Sequence, residues 1–178
     1  MKRYNLFILI FISTLIFSTS CEKLDEFTQF NVEYKSSIVI ENGSILNLPI
    51  DILTPEIQTN QESEFAVNNT RKDLVEEISL RDMNLKITSP DEQRFDFLKS
   101  IHVFINADGL SELEIAFKDP VPEDVGDSLV LDLNENNLRE YIIKDRFSLR
   151  VEVVTDKVTG SDVNIDVEST FFVDAKLF

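Results

Sequence analysis

A period of two constrains this chain more than any other feature. From Gln29 onward, apolar and polar residues alternate in one run after another. Phe30, Val32 and Tyr34 alternate with Asn31 and Glu33, and Leu46, Leu48, Ile50 and Ile52 with Asn47, Pro49 and Asp51. Met83, Leu85 and Ile87 alternate with Asn84, Lys86 and Thr88; Ile101, Val103 and Ile105 form another run, and Phe147, Leu149, Val151 and Val153 another. Val163, Ile165, Val167, Phe171, Val173, Ala175 and Leu177 hold one parity to the end, with Phe172 out of phase. Successive side chains of a strand point to opposite faces, so each run describes a strand with one buried and one wet face.

Turn residues divide the runs. Asn42-Gly43-Ser44, Ser89-Pro90-Asp91, Asn106-Ala107-Asp108-Gly109, Asp119-Pro120-Val121-Pro122 and Thr159-Gly160-Ser161-Asp162 all break or turn the chain. The pattern predicts a hairpin over about residues 29–53, with Pro49 at an edge position or a bulge because it cannot donate to a ladder. It predicts a second hairpin around 106–109, in which Leu113, Ile115 and Phe117 share one face. Ser128–Leu133 is nearly continuously apolar and predicts a strand buried on both faces. Residues 54–70 show no clear period. One helix is expected after Asn134 as cap, with Leu138, Tyr141 and Ile142 on one face. Seven to nine short strands and one crossover helix predict an all-β fold, an antiparallel β-sandwich of immunoglobulin-like style. The Cys–Trp–Cys signature of that class is absent, since the chain has one Cys and no Trp.

The first 21 residues obey a different logic. Lys2 and Arg3 precede Leu6–Phe17, an apolar run broken only by Ser13 and Thr14, and Ser18-Thr19-Ser20 leads to Cys21, the sole cysteine. Charge, short apolar core and small residues are the layout of a secretory signal. The run has 12 residues, whereas a spanning helix needs about 20. Ser18 to Cys21 resembles the lipobox of bacterial lipoproteins, with Ser18 where Leu is usual. The acidic stretch Glu22-Lys23-Leu24-Asp25-Glu26 resembles the surface-export signal of Bacteroidota lipoproteins. This resemblance implies a diacylglyceryl thioether and an N-acyl chain on Cys21, which together give durable anchoring. It also implies a cell outer-membrane location, facing the periplasm or the cell surface. The expected organisation is a signal peptide over 1–20, a lipidated Cys21 with an acidic tether over 21–28, and one domain over 29–178. The seven residues from Glu22 to Thr28 reach at most about 25 Å.

Charge limits the partners. Without residues 1–20, 15 Lys and Arg face 33 Asp and Glu, a net of −18. Nucleic-acid affinity is built on neutralising phosphates with Lys and Arg, so no nucleic-acid partner is expected. Attachment to a membrane has to come from the acyl chains and not from a basic face.

Candidate chemistry is sparse. His102 is the only histidine and shares strand parity with Phe104, opposite the Ile101 face. One His and an acylated Cys leave no zinc site or Cys–His pair of those ligand types. Asp132-Leu133-Asn134-Glu135-Asn136-Asn137 starts like a calcium loop, but Asn137 stands in place of the turn glycine and Ile143 in place of the bidentate Glu. Asp119, Glu123, Asp124 and Asp127 crowd one Pro-containing loop and are the candidate calcium ligands. Asp127-Ser128-Leu129 resembles the Bacteroidota O-glycosylation pattern, which makes Ser128 a candidate acceptor. No phosphate loop, G-x-S-x-G or triad order is present. The chain is therefore expected to need no cofactor and to be no enzyme. It reads as a lipid-anchored envelope protein that binds or positions a partner protein at the outer membrane. The alternatives are a glycan-binding accessory lipoprotein, for which Tyr34, Tyr141 and the Phe residues are the available platforms, and a small hydrolase using two carboxylates.

Overall fold

The structure is a computed structural model and describes residues 28–176. Cys21, the signal region and the tether up to Phe27 lie outside the described residues, as does Leu177. Among the described residues, ten strands form two antiparallel sheets. Sheet one has the order β1 (Gln29–Ile40), β10 (Val163–Ala175), β4 (Val75–Ser89), β7 (Ser128–Val130). Sheet two has the order β2 (Pro49–Leu53), β9 (Arg146–Thr155), β5 (Leu98–Asn106), β6 (Leu113–Lys118), β8 (Asp132–Leu133), and β3 (Ile57–Gln58) joins β9 beside β2. Among the described residues two short α-helices decorate them, α1 (Gln61–Val67) and α2 (Arg139–Ile142). This is the predicted all-β sandwich.

The alternation does what strand geometry requires. Phe147, Leu149, Val151 and Val153 of β9 are buried, and so are Val163, Ile165, Val167, Phe171, Val173 and Ala175 of β10. Their inward faces meet in one continuous core, centred on the edge-to-face rings of Tyr34, Phe147 and Phe171. Phe95 and Phe97 of the short turn before β5 add a second, stacked pair.

Three local expectations are corrected. The 29–53 segment is not a hairpin: β1 pairs with β10 from Gln29↔Asp174 to Ile40↔Val163, and β2 pairs with β9. Residues 41–48 are a long connection, and it carries the chain across the roughly 10 Å between sheets. Gly43 (φ 80°) and Asn47 (φ 58°) supply the left-handed backbone it needs. Ser128–Leu133 is not one doubly buried strand. It leaves sheet one after Val130 and joins sheet two at Asp132, so Leu129 and Leu131 are buried while Val130 is 58% exposed. In β6 a bulge sets Val103 opposite Ala116 and Phe104 opposite Glu114. The extra residue flips the parity, so Ile115 and Ala116 both turn inward and Phe117 faces out. Helix α1 fell in the stretch without period; its buried Gln61 and Phe65 are the i, i+4 signal.

Candidate functional site

The outer face of sheet two gathers most of the unusual side chains. Register alone places Asp51, Glu152, His102, Phe117 and Asp132 in one row across five strands. The next row runs Leu53, Arg150, Phe104, Glu114.

Arg150 holds this face together. Its guanidinium lies 4.0 Å from the Phe104 ring centre. Glu112 accepts from it at 2.8 and 2.9 Å, Glu152 at 3.2 Å, and Asp51 also accepts from it. Hydrogen bonds to Glu112 chiefly, and to Asp51 and Glu152, push the Arg150 pKa up further still. The same contact holds the Glu112 carboxyl below its ordinary value. A fork with five donors suits this multidentate capture, and the aromatic face below screens it from water. Nothing in the alternation singled out Arg150. The legible signal was a lone cation at mid-strand, two residues before Glu152 in an acidic chain.

His102 stacks on Phe117 at 6.1 Å, and its Nδ1 lies 2.6 Å from Glu114 Oε1. Asn134 Nδ2 donates to the other Glu114 oxygen at 3.0 Å. Both His102 and Glu114 are half-buried. The predicted turn at Asn106–Gly109 brings these residues, twelve apart, into diagonal contact. The arrangement orients an imidazole on a shallow surface.

The other predicted positions are dispersed. Among the described residues no three His, Cys, Asp or Glu side chains converge on a point, so Asp119, Glu123, Asp124 and Asp127 do not form a cage. Asp127 pairs with Lys86 at 2.6 Å, and that contact lowers its pKa. The Asp124 carbonyl accepts from Arg94 at 2.8 Å. In the 132–137 loop, Asp132 meets Lys118 at 3.1 Å, Asn136 donates to the Glu114 carbonyl, and Asn137 Oδ1 accepts from Arg139 N and Ile78 N. Ser128 begins β7, is exposed, and donates to Asn84 Oδ1 at 3.0 Å. Phe172 is half-buried, with Arg81 5.8 Å from its ring centre.

A second surface lies at one pole of the sandwich. Ile45 is 66% exposed, Leu48 53% and Val158 65%. The 41–48 connection is held against the β9–β10 turn: Asn47 N donates to Thr155 O at 2.7 Å and Asn42 N to Asp162 Oδ1 at 2.8 Å. Glu41, Asp156 and Asp162 add exposed carboxylates there. Because β1 runs from Gln29 to Ile40, this pole stands roughly 35–40 Å from the point where the chain enters the domain, at 3.3–3.4 Å per residue.

No family model matches the chain, and no curated protein matches it. Among solved structures it is similar to a crystal structure of FLHE (7% identity, 82% of this chain and 98% of that one, TM-score 0.34). It is also similar to CpGH89CBM32-5 from Clostridium perfringens (8%, 81% and 97%, TM-score 0.35) and to the Desmodium yellow mottle tymovirus structure (10%, 84% of each chain, TM-score 0.31). Likenesses this loose carry no functional argument.

Proposed function

We propose that this protein is a lipid-anchored, non-catalytic envelope protein that holds a partner protein near the outer membrane. The exposed apolar residues Ile45, Leu48 and Val158, on two loops tied together by Asn47 N to Thr155 O and Asn42 N to Asp162 Oδ1, support the partner half of this reading. Exposed apolar residues brought together at one end of a sandwich and flanked by carboxylates suit a protein partner where they merge into one patch. The anchor half rests on the charge, short apolar run and lone Cys21 of the N-terminal sequence. A tether of at most about 25 Å keeps the domain close to its membrane and leaves the far pole free to engage.

The test uses the native producer. Cells are fed a palmitate analogue, and wild type is compared with Cys21→Ala before and after external protease. Label on the wild type alone supports the anchor, and degradation from outside places the domain at the cell surface. A photo-crosslinker at Leu46 gives a discrete adduct with an envelope protein, while one at exposed Glu77 does not. An unlabelled wild type overturns the anchor; no adduct, or the same adduct from both positions, overturns the docking pole.

A glycan-binding role is favoured by one observation: Phe104, Phe117 and His102 lie on the same outer face, and Phe117 is not covered by Arg150. A glycan whose binding disappears in Phe117→Ala would decide for it.

A further inference from the structure

Sheets expose unpaired N–H and C=O groups at their edges, and proteins shorten, break or cover such edges. This sandwich does so almost everywhere. The outer side of β4 is met by the 127–138 segment: Ile87 N donates to Asp127 O, Leu131 N to Met83 O and Leu138 N to Ile78 O, around the three residues of β7. The outer side of β9 is met by β2, by Thr54 N on Leu149 O, by β3 and by Thr59 N on Asp145 O. The outer side of β6 is met by β8 and by Asn134 N on Ile115 O.

Strand β1 is different. It has 12 residues, no proline, and an unbroken register with β10. Among the described residues no strand pairs with its other side, and no loop backbone hydrogen bond reaches residues 29–40. An open groove of about 510 Å³ runs along Glu33–Ser37, and Pro55–Gln58 form its far wall. Among the described residues the edge is therefore long, regular and unpaired.

Its sequence selects the occupant. Glu33 and Lys35 both lie on the exposed face, flanking the buried Tyr34. An antiparallel copy of β1 centred on Tyr34 sets Glu33 opposite Lys35 of the second copy, and Lys35 opposite its Glu33. The same register sets Asn31 opposite Ser37 and Val32 opposite Ser36. Centring on Glu33 or Lys35 instead would place like charges face to face, which destabilises a ladder. We propose that two copies of this protein pair antiparallel through the open edges of β1, in the register centred on Tyr34, joining their four-stranded sheets into one. Such a contact is isologous and closes as a dimer, so the open edge is used up instead of propagating. It goes beyond the partner reading above and does not depend on the lipid anchor.

A charge-swap experiment on the full chain in detergent tests this. Sedimentation is measured over a concentration series for wild type, Glu33→Lys and Lys35→Glu, with thermal melts to confirm folding. In the register above, each variant opposes like charges twice, so each dimerises about tenfold more weakly or worse. A mixture of the two variants restores two opposite-charge pairs, and donor-labelled Glu33→Lys associates with acceptor-labelled Lys35→Glu at least as well as wild type with itself. Glu33→Lys also makes the protein less negative. Non-specific repulsion therefore predicts tighter association for this variant, and the register predicts weaker. A wild type that stays monomeric throughout the series overturns the proposal and leaves the edge to an extended segment of another protein. Variants that self-associate like wild type, or a mixture that fails to pair, overturn it as well.

Discussion

Tyr34 shows how one residue serves several levels of the structure. Its ring packs edge-on against Phe147 at 5.3 Å and Phe171 at 5.7 Å, linking β1 to both sheets. Its hydroxyl donates to Thr59 O at 3.0 Å, which fastens the connector that leads into α1. Burial first, and the nearby Glu64 charge second, push the phenol pKa well above its ordinary 10.0. The folded state holds the neutral phenol, so this contribution is complete below about pH 10 and is lost as the pH climbs beyond it, where the unfolded chain ionises first. Tyr34→Phe keeps the ring and removes both the hydrogen bond and the titration. Its stability at pH 7 should fall by about 1–2 kcal/mol, because a buried carbonyl loses its donor. Above pH 10 it should lose less stability than wild type does. Thermal melts from pH 7 to 11 check both, and equal alkaline slopes would remove Tyr34 as the source. The sequence already placed Tyr34 inside by parity. It could not place Thr59, because that contact is made across a connector with no period. Arg150 was hidden for a similar reason: its partners Asp51 and Glu112 come from segments far from it in sequence, and only Glu152 lies on its own strand.

At the scale of elements, long strands were legible and their neighbours were not. Alternation over β9 and β10 fixes which residues turn inward, because a slip of one residue would bury the polar set. Pairing depends on where the connections lead, and the 41–48 connection leads to the other sheet. Bulges are equally silent in a local pattern, so Phe117 moved from the core face to the outer row beside His102. Helix α2 carries a similar lesson. Asn134 was the expected cap, yet its side chain donates to Glu114 instead. Leu138 takes the cap position without a side-chain bond, and Asn137 just before it makes the bridge: its Oδ1 accepts from Arg139 N at 3.0 Å and from Ile78 N at 3.3 Å, and Leu138 N donates to Ile78 O. One side chain thus ties the start of the helix to β4. Asn137→Ala should cost about 1–2 kcal/mol, because the part-buried Ile78 N–H and the Arg139 N–H lose their acceptor. Asn134→Ala removes a half-buried contact to an already partnered carboxylate and should cost about 0.5–1 kcal/mol. Urea denaturation ranks the two, and the reverse order would make the Asn134–Glu114 contact the stronger tie of this segment.

For the whole molecule, charge is the dominant unbalanced quantity. The ion pairs among the described residues are mostly solvent-exposed, Lys35–Glu168 and Arg146–Glu56 among them, and such pairs contribute little to stability. The surplus of acidic groups, a net of −18 without residues 1–20, repels itself across one compact body. Added salt shortens the screening length from about 30 Å at 0.01 M to about 10 Å at 0.1 M. Repulsion among many spread charges is weakened more than the few short contacts are. At pH 7 the midpoint of thermal unfolding should therefore rise between about 0.01 M and about 0.3 M sodium chloride. A gain of about 1 kcal/mol corresponds to roughly 2–4 °C for a domain of this size. Acid should act in two opposed stages. As the pH falls toward 5, ordinary carboxylates begin to protonate, the surplus charge shrinks, and the benefit of salt shrinks with it. Glu112 and Asp127 behave differently, because Arg150 and Lys86 hold their folded pKa values below the ordinary 4.5 and 3.8. The stability they contribute is present above those ordinary values and is lost as the pH drops through the lower folded ones. Stability should thus hold or rise slightly from pH 7 to about 5, then fall below about pH 4. Glu112→Gln should flatten that acid limb. Melts across pH 3–7 at both salt levels measure every part of this. A midpoint that falls with salt at pH 7 would mean that the exposed ion pairs, and not the surplus of carboxylates, set the electrostatic balance.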